Sequence, residues 1–74
     1  MIIDVRTQEE YSEGYVKGAK NIPVDIIGDI ELDASLDENI QVYCRSGGRA
    51  RLAKSILEKR GFINVSLYNN GRCQ

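Results

Sequence analysis

The sequence predicts a small α/β domain in which helices flank a parallel β-sheet. Three observations predict this fold: short apolar runs of strand length, one longer segment with helical apolar spacing, and an alternating order of strands and helices. A chain of 74 residues, 42% of them hydrophobic, has the size of one domain, which we assign to residues 1–74. Strands joined by helical crossovers run in the same direction, so the sheet is expected to be parallel.

The first strand and the first helix are predicted near the N-terminus. Residues 2–5 form a short apolar run that suits a buried strand. Thr7, followed three residues later by Glu10, has the form of a capping box, which predicts a short helix that runs to about Ser12. Gly14 then ends this helix.

A second extended segment and a less regular region follow. Residues 18–23 predict a short extended piece that Pro23 closes. Residues 24–39 are acidic and are interrupted by Gly28, and we assign them to a helical turn and a loop.

The C-terminal half contains the longest regular pattern. Residues 40–43 predict a strand, a helix is predicted from about Gly48, and Gly61 lies where a helix C-terminus favours a left-handed residue. Residues 62–67 supply the last strand-like run. The helical spacing is carried by Ala50, Ala53, Ile56 and Leu57, and the alternation in the last run by Ile63, Val65 and Leu67.

Composition excludes several classes of function. No apolar run is long enough to span a bilayer, and no basic segment leads into an apolar stretch at Met1, so we expect a cytoplasmic protein with no membrane partner. The chain has no histidine, and its two cysteines, Cys44 and Cys73, do not form a CxxC motif. These absences argue against a zinc site, a thioredoxin-type redox pair, and histidine-dependent serine or cysteine catalysis.

The charge is nearly balanced overall but unevenly distributed. Residues 1–40 hold ten acidic and three basic side chains, whereas residues 41–74 hold one acidic and seven basic ones. The basic side chains are not interleaved with aromatic ones, so nucleic acid is not an expected partner. Two explanations of the basic half stay open: a solvated helix face, or arginines that attract an anion and favour a thiolate at Cys44.

The stretch around Cys44 carries the functional prediction. Cys44 follows the strand at residues 40–43 and precedes the helix that starts near Gly48, at the sheet edge where open α/β sheets bind ligands. A glycine-rich turn can direct backbone N–H groups inward, and the helix N-terminus adds about half a positive charge. Such surroundings lower the pKa of a cysteine thiol and make it nucleophilic. The alternative is a buried cysteine that acts only as a small hydrophobic side chain.

Three stretches resemble, in the same order, the motifs of the rhodanese family. The loop CRSGGRA at residues 44–50 resembles the family's active-site loop. The stretch IDVR followed by EEY, within residues 3–11, resembles its first signature. The stretch GYVKGAKNIP at residues 14–23 resembles its second. Tyr15 stands where a histidine is usual. The resemblance covers residues 2 to about 68 and is to the short, single-domain members of the phage-shock type.

The resemblance implies a thiosulfate sulfurtransferase in which Cys44 is catalytic. Cys44 takes a sulfane sulfur from a donor such as thiosulfate, holds it as a persulfide, and passes it to cyanide, a thiol or a sulfur-accepting protein. No metal or organic cofactor is implied. The implied substrate-binding loop consists of Arg45, Ser46, Gly47, Gly48 and Arg49, and Arg49 is expected to hold the anionic donor.

The resemblance also implies that Asp4 and Arg6 support the loop. Asp4 is expected to pair with Arg45 beneath the loop, which would fix the loop's shape. For Arg6, simple solvation at the end of a strand stays open as an alternative.

The sequence departs from the family pattern in two respects. Full-length single-domain members usually have a further strand and helix before the first motif and a further turn and helix after the last. We therefore expect a rhodanese-like fold that is truncated at both ends and has an exposed sheet edge. In some two-domain relatives, basic residues that hold thiosulfate occupy the positions of Glu10 and Ser46, so we expect thiosulfate to be a poor donor here.

Two other functions stay open at this stage. A cysteine phosphatase or arsenate reductase also places cysteine in an anion-binding loop, but such a phosphatase needs an arginine six positions later, where this chain has Ala50. A sulfur-carrier or binding module would hold sulfur without turning over small substrates. Cys73, the penultimate residue, is predicted to be an exposed bystander and not a resolving thiol.

Overall fold

A parallel four-stranded sheet organises the structure, a computed structural model that describes residues 1–45 and 48–68. Its strands are β1 (Ile2–Asp4), β2 (Ala19–Asn21), β3 (Ile40–Tyr43) and β4 (Val65–Leu67), in the spatial order β2-β1-β3-β4. Helix α1 (Gln8–Ser12) connects β1 to β2, and helix α2 (Gly48–Lys59) connects β3 to β4. The predicted α/β class and parallel sheet are confirmed.

The strand register places the carboxyl ends of three strands side by side. Asp4 at the end of β1 is aligned with Asn21 of β2 on one side and with Tyr43 of β3 on the other. The chain leaves β3 directly into Cys44. The cysteine therefore lies at the edge of the sheet where open α/β folds bind ligands.

Helix α1 begins with the capping box that its sequence predicts. The Thr7 hydroxyl accepts a hydrogen bond from the Glu10 backbone N–H at 3.2 Å, and the Thr7 backbone N–H donates to Glu10 Oε1 at 3.0 Å. Two of the backbone N–H groups at this helix start are thus satisfied by side chains. The helix ends at Ser12, as expected, and Gly14 follows with a positive φ of 148°.

Helix α2 ends in a Schellman motif centred on Gly61. The Gly61 N–H donates to the Glu58 carbonyl at 3.0 Å, and the Phe62 N–H donates to the Leu57 carbonyl at 3.1 Å. This arrangement requires a left-handed residue after the helix, and Gly61 has φ of 105°. The predicted role of Gly61 is confirmed.

The core lies between the sheet, α2 and the segment that joins β2 to β3. Its largest fully buried apolar side chains are Ile3, Val5, Ile27, Ile40, Val42 and Leu57. Helix α2 turns Ala50, Ala53 and Leu57 inward and packs against β3 and β4. None of the helices in the described part of the chain is long and apolar enough to cross a membrane.

The apolar alternation predicted for residues 62–67 is wrong at its start. The strand begins only at Val65, and Ile63 is 71% exposed, whereas Phe62 is buried. The reason is the Schellman motif, which directs Phe62 back onto the end of α2 and leaves residues 62–64 outside the sheet. The turns of residues 24–39 agree with the prediction of a helical turn and a loop, with one helical bond from the Ile30 N–H to the Ile26 carbonyl.

Candidate active site

The Cys44 side chain is buried beneath the first turn of α2. Its sulfur accepts a hydrogen bond from the Ala50 backbone N–H, with 3.2 Å between the nitrogen and Sγ. Ala50 is the third residue of α2, and the N–H groups of a first helical turn have no partner within the helix. The bond directs the positive end of the helix dipole at the sulfur, an arrangement that favours a thiolate.

Arg49, in the first turn of α2, forms a bidentate ion pair with Glu10 of α1. Its Nη1 lies 2.7 Å from Glu10 Oε1 and its Nη2 lies 3.1 Å from Oε2. The hydrogen bond to Glu10 is the main cause that raises the pKa of Arg49, and attraction to Cys44 adds to it. The same bond, with the backbone bond from Thr7, lowers the pKa of Glu10 to about 2. The Arg49 guanidinium is thus held by a carboxylate of the same chain.

Asp4 is buried, but its partner is Arg6 and not the expected Arg45. Arg6 Nε lies 3.0 Å from Asp4 Oδ1 and Nη2 lies 2.8 Å from Oδ2, and the Arg6 backbone N–H also donates to Oδ1. The hydrogen bond that Arg6 donates to Asp4 is the main cause that raises the pKa of Arg6. The prediction of an Asp4–Arg45 pair is therefore wrong, because Arg6, which follows just after the end of β1, already satisfies the carboxylate. Solvation is also excluded for Arg6, which is buried.

The remaining loop residues are only partly described. Arg45 is exposed, and Gly48 is the first residue of α2. Ser46 and Gly47 lie outside the described residues, and so does Cys73. Their predicted roles stay predictions.

A cavity of about 340 Å³ opens beside the loop. The two residues that flank Cys44 in the chain, Tyr43 and Arg45, form one side of it, and the α1–β2 turn with Gly14 and Tyr15 forms another. A larger cavity of about 470 Å³ runs along β2 and residues 30–33 and contains none of the predicted site residues. We assign the smaller one to the site because the residues on either side of Cys44 in the chain line it.

Two functional features were not predicted from the sequence. Glu10 was predicted as a helix cap and as a position where relatives have a basic residue, but not as the partner of Arg49, which lies 39 positions away in the chain. Tyr11 and Tyr15 stack with ring centroids 4.1 Å apart, and the Tyr11 hydroxyl donates to the Ala19 carbonyl at 2.6 Å. Tyr15 lies beyond the end of α1 at Ser12, so helical i, i+4 spacing does not account for this contact. The Glu10–Arg49 pair had no local signal.

Comparison with known proteins decides the family. The family model described as the rhodanese-like domain matches residues 1–72. The chain belongs to this family. This rhodanese-like chain is 38% identical over 65 residues to thiosulfate sulfurtransferase PspE of Escherichia coli, a match that covers 85% of the chain and 62% of PspE. It is 39% identical over 67 residues to YrkF of Bacillus subtilis, whose name proposes a sulfur carrier protein, with 86% of the chain and 35% of YrkF covered.

Solved rhodanese structures have the same fold. A rhodanese with anions from E. coli matches with a TM-score of 0.84 at 31% identity, over 92% of this chain and 82% of that chain. The human single-domain sulfurtransferase TSTD1 matches with a TM-score of 0.84 at 25% identity, over 90% of this chain and 72% of its own. The rhodanese-like chain spans less than two thirds of the length of the curated relatives PspE and YrkF.

Proposed function

We propose that this rhodanese-like chain is a sulfurtransferase that works through a persulfide on Cys44. The observation that carries the proposal is the hydrogen bond from the Ala50 N–H, at the start of α2, to the buried Cys44 sulfur. A backbone donor at a helix N-terminus stabilises negative charge on sulfur without a histidine or a metal. The name of PspE, a thiosulfate sulfurtransferase, supports the same activity.

The proposed reaction has two displacements at sulfur. The Cys44 thiolate attacks the sulfane sulfur of a donor such as thiosulfate, the donor's S–S bond breaks, and sulfite leaves with the electron pair. An acceptor, cyanide or a thiolate, then attacks the outer sulfur of the persulfide. The Cys44 S–S bond breaks, Cys44 returns as a thiolate, and the sulfur leaves as thiocyanate or as the persulfide of the acceptor. The helix N-terminus stabilises the thiolate at the start and at the end of the cycle.

The Glu10–Arg49 pair supports the prediction that thiosulfate is a poor donor. Attraction to Cys44 contributes to the raised pKa of Arg49, but both outer nitrogens of Arg49 bind the Glu10 carboxylate. A dianionic donor that approaches Arg49 therefore meets a carboxylate as well as a guanidinium, which offsets the attraction. A less charged donor would not meet this opposition.

The first prediction is that Cys44 alone carries the sulfur. Incubation with thiosulfate or a persulfide donor should add one sulfur atom to the intact mass of the wild type, and cyanide should remove it. Cys44→Ser should show no added sulfur and no thiocyanate formation, because the nucleophile is lost. Cys73→Ser is the control and should load like the wild type. Sulfur transfer at the wild-type rate by Cys44→Ser would refute the proposal.

A non-turnover sulfur carrier is the second candidate. The likeness to YrkF favours it, since the name of that protein proposes a sulfur carrier. Both candidates use the Cys44 persulfide and differ only in turnover with small molecules. Steady-state formation of thiocyanate with several donors separates them, because a carrier would load once and then stop. A sulfur-accepting protein as partner and a cytoplasmic location belong to this proposal too.

A further inference from the structure

The cavity beside the loop is larger than sulfur transfer to small inorganic ions requires. Its volume of about 340 Å³ is in the range of sites that bind organic ligands. Thiosulfate or cyanide would leave most of this volume unfilled. The cavity therefore fits an acceptor or donor that has a carbon skeleton.

Two of the charged side chains that line the cavity already have partners within the protein. Arg6 is bound to Asp4, and Glu10 is bound to Arg49. Within residues 1–45 and 48–68, the side chains of Arg45 and Glu13 form no hydrogen bond or ion pair. The cavity thus presents one guanidinium and one carboxylate that are available to a ligand.

The remaining wall is apolar and held in place. Tyr15, Val16 and Tyr43 line the cavity between the charged groups. Arg6 Nη2 donates to the Gly14 carbonyl at 2.6 Å, and its guanidinium carbon lies 5.4 Å from the centre of the Tyr43 ring. The buried arginine therefore connects the α1–β2 turn to the end of β3, which fixes the two sides of the cavity relative to each other.

From this arrangement we infer that the cavity binds a small thiol of the amino-acid class, one that carries both a carboxylate and an ammonium group, such as cysteine. The carboxylate binds Arg45, the ammonium binds Glu13, and the carbon skeleton lies against Tyr15 and Tyr43. The inference rests on the proposed function, in which Cys44 holds the sulfur, and it names the acceptor.

The step that follows from this binding balances in atoms and charge. The thiolate of the bound acceptor attacks the outer sulfur of the protonated Cys44 persulfide. A new S–S bond forms on the acceptor, the S–S bond to Cys44 breaks, and Cys44 leaves as a thiolate. The proton stays on the transferred sulfur, and no oxidant or reductant is needed.

The test isolates this second half of the reaction. The protein is loaded with sulfur, freed of donor, and mixed with cysteine, 3-mercaptopropionate, cysteamine or 2-mercaptoethanol, and loss of the sulfur is followed by intact mass. The readout is the rate constant for each thiol, corrected for its thiolate fraction and divided by that for 2-mercaptoethanol in the same variant. This ratio cancels any loss common to all acceptors.

Two variants test the two proposed contacts, ammonium to Glu13 and carboxylate to Arg45, one at a time. Glu13→Gln should lower the ratio for cysteine by about tenfold and for cysteamine likewise, and leave that for 3-mercaptopropionate unchanged. Arg45→Gln should lower the ratios for cysteine and 3-mercaptopropionate but not for cysteamine. Glu9→Gln, an exposed carboxylate on α1 outside the cavity, is the matched control and should change no ratio.

Failure of the proposed function and failure of this inference would give different results. A protein that cannot be loaded with sulfur at Cys44 contradicts the proposed function. A protein that loads normally and then passes sulfur to all four thiols at equal corrected rates contradicts only the inference. Ratios that respond equally to Glu13→Gln and Glu9→Gln also overturn it.

Discussion

The buried pair of Asp4 and Arg6 is the residue-scale feature that connects the strand ends to the site. Arg6 binds the Asp4 carboxylate, the Gly14 carbonyl and the face of Tyr43 at the same time. Asn21 completes the network, because its amide donates to the backbone carbonyls of both Asp4 and Arg6. The desolvation of two buried charges can offset their attraction, so a buried ion pair does not by itself add stability.

A second prediction follows for this pair. Arg6→Met should lower the free energy of unfolding by about 3 kcal/mol, because the Asp4 carboxylate is left buried without its counterion. The double variant Asp4→Asn, Arg6→Met should recover much of that loss, since no buried charge remains and the asparagine oxygen can still accept the backbone N–H of position 6. Urea unfolding followed by circular dichroism measures both. A double variant that is less stable than Arg6→Met would show that the pair itself stabilises the fold.

The partner of Asp4 shows what could be predicted at this scale and what could not. Asp4 and Arg6 are two positions apart in a run that the sequence predicts to be extended, and residues two apart in an extended chain project to the same face. That local signal favoured Arg6 over Arg45 as the partner and was available in the sequence.

The position of Cys44 at the end of a strand and before a helix was predicted correctly, because strand, cysteine and helix adjoin in the chain. The Ala50 bond to its sulfur depends on the loop conformation and had no sequence pattern.

At the scale of elements, Glu10 couples the first helix to the second. Its carboxylate caps α1 through Thr7 and binds Arg49 in the first turn of α2. The pKa of Glu10 is lowered from 4.5 to about 2, chiefly by the hydrogen bond from Arg49 and then by that from the Thr7 backbone. Because the folded-state pKa is the lower one, the ionised carboxylate stabilises the folded protein above about pH 4.5, and this contribution is lost as the pH falls through about 2.

The third prediction concerns this pH dependence. The difference in unfolding free energy between the wild type and Glu10→Gln should be constant above about pH 5, decrease between about pH 4.5 and 2, and disappear below that range. Urea unfolding at a series of pH values measures it. Glu9→Gln, on the same helix, serves as the control and should show no such trend. A difference that is the same at about pH 7 and pH 2 would mean that the Glu10 charge does not stabilise the fold.

Helix and strand boundaries were predicted correctly where the sequence pattern that marks them lies within a few residues. The capping box at Thr7, the helix from Gly48 and the glycine at position 61 each depend on residues within one or two turns, and all are confirmed. The strand was predicted too early at Ile63 because apolar alternation does not show where a helix-ending motif stops and a strand begins. The side chain that the motif buries is Phe62, one position before the expected one.

At the scale of the whole molecule, a thin core supports the site. The described fold has a radius of gyration of 11.0 Å, and a single long helix, α2, covers part of the sheet. A domain of this size has about 4 to 11 kcal/mol of stability, so one large apolar side chain is a considerable fraction of the total. Leu57 is fully buried against that sheet, and its carbonyl also accepts the Phe62 N–H.

The last prediction uses two leucines of the same helix. Leu57→Ala should lower the free energy of unfolding by about 3 kcal/mol, the combined effect of lost apolar burial and a residual cavity. Leu52→Ala, five positions earlier and 54% exposed, should change it by less than about 0.5 kcal/mol. Thermal unfolding and sulfur loading of Cys44, measured together on both variants, connect packing to function, since α2 also supplies the Ala50 N–H that binds the sulfur. We expect Leu57→Ala to lose loading at the temperature at which it unfolds and Leu52→Ala to load like the wild type. Equal stability of the two variants would contradict the assignment of Leu57 to the core.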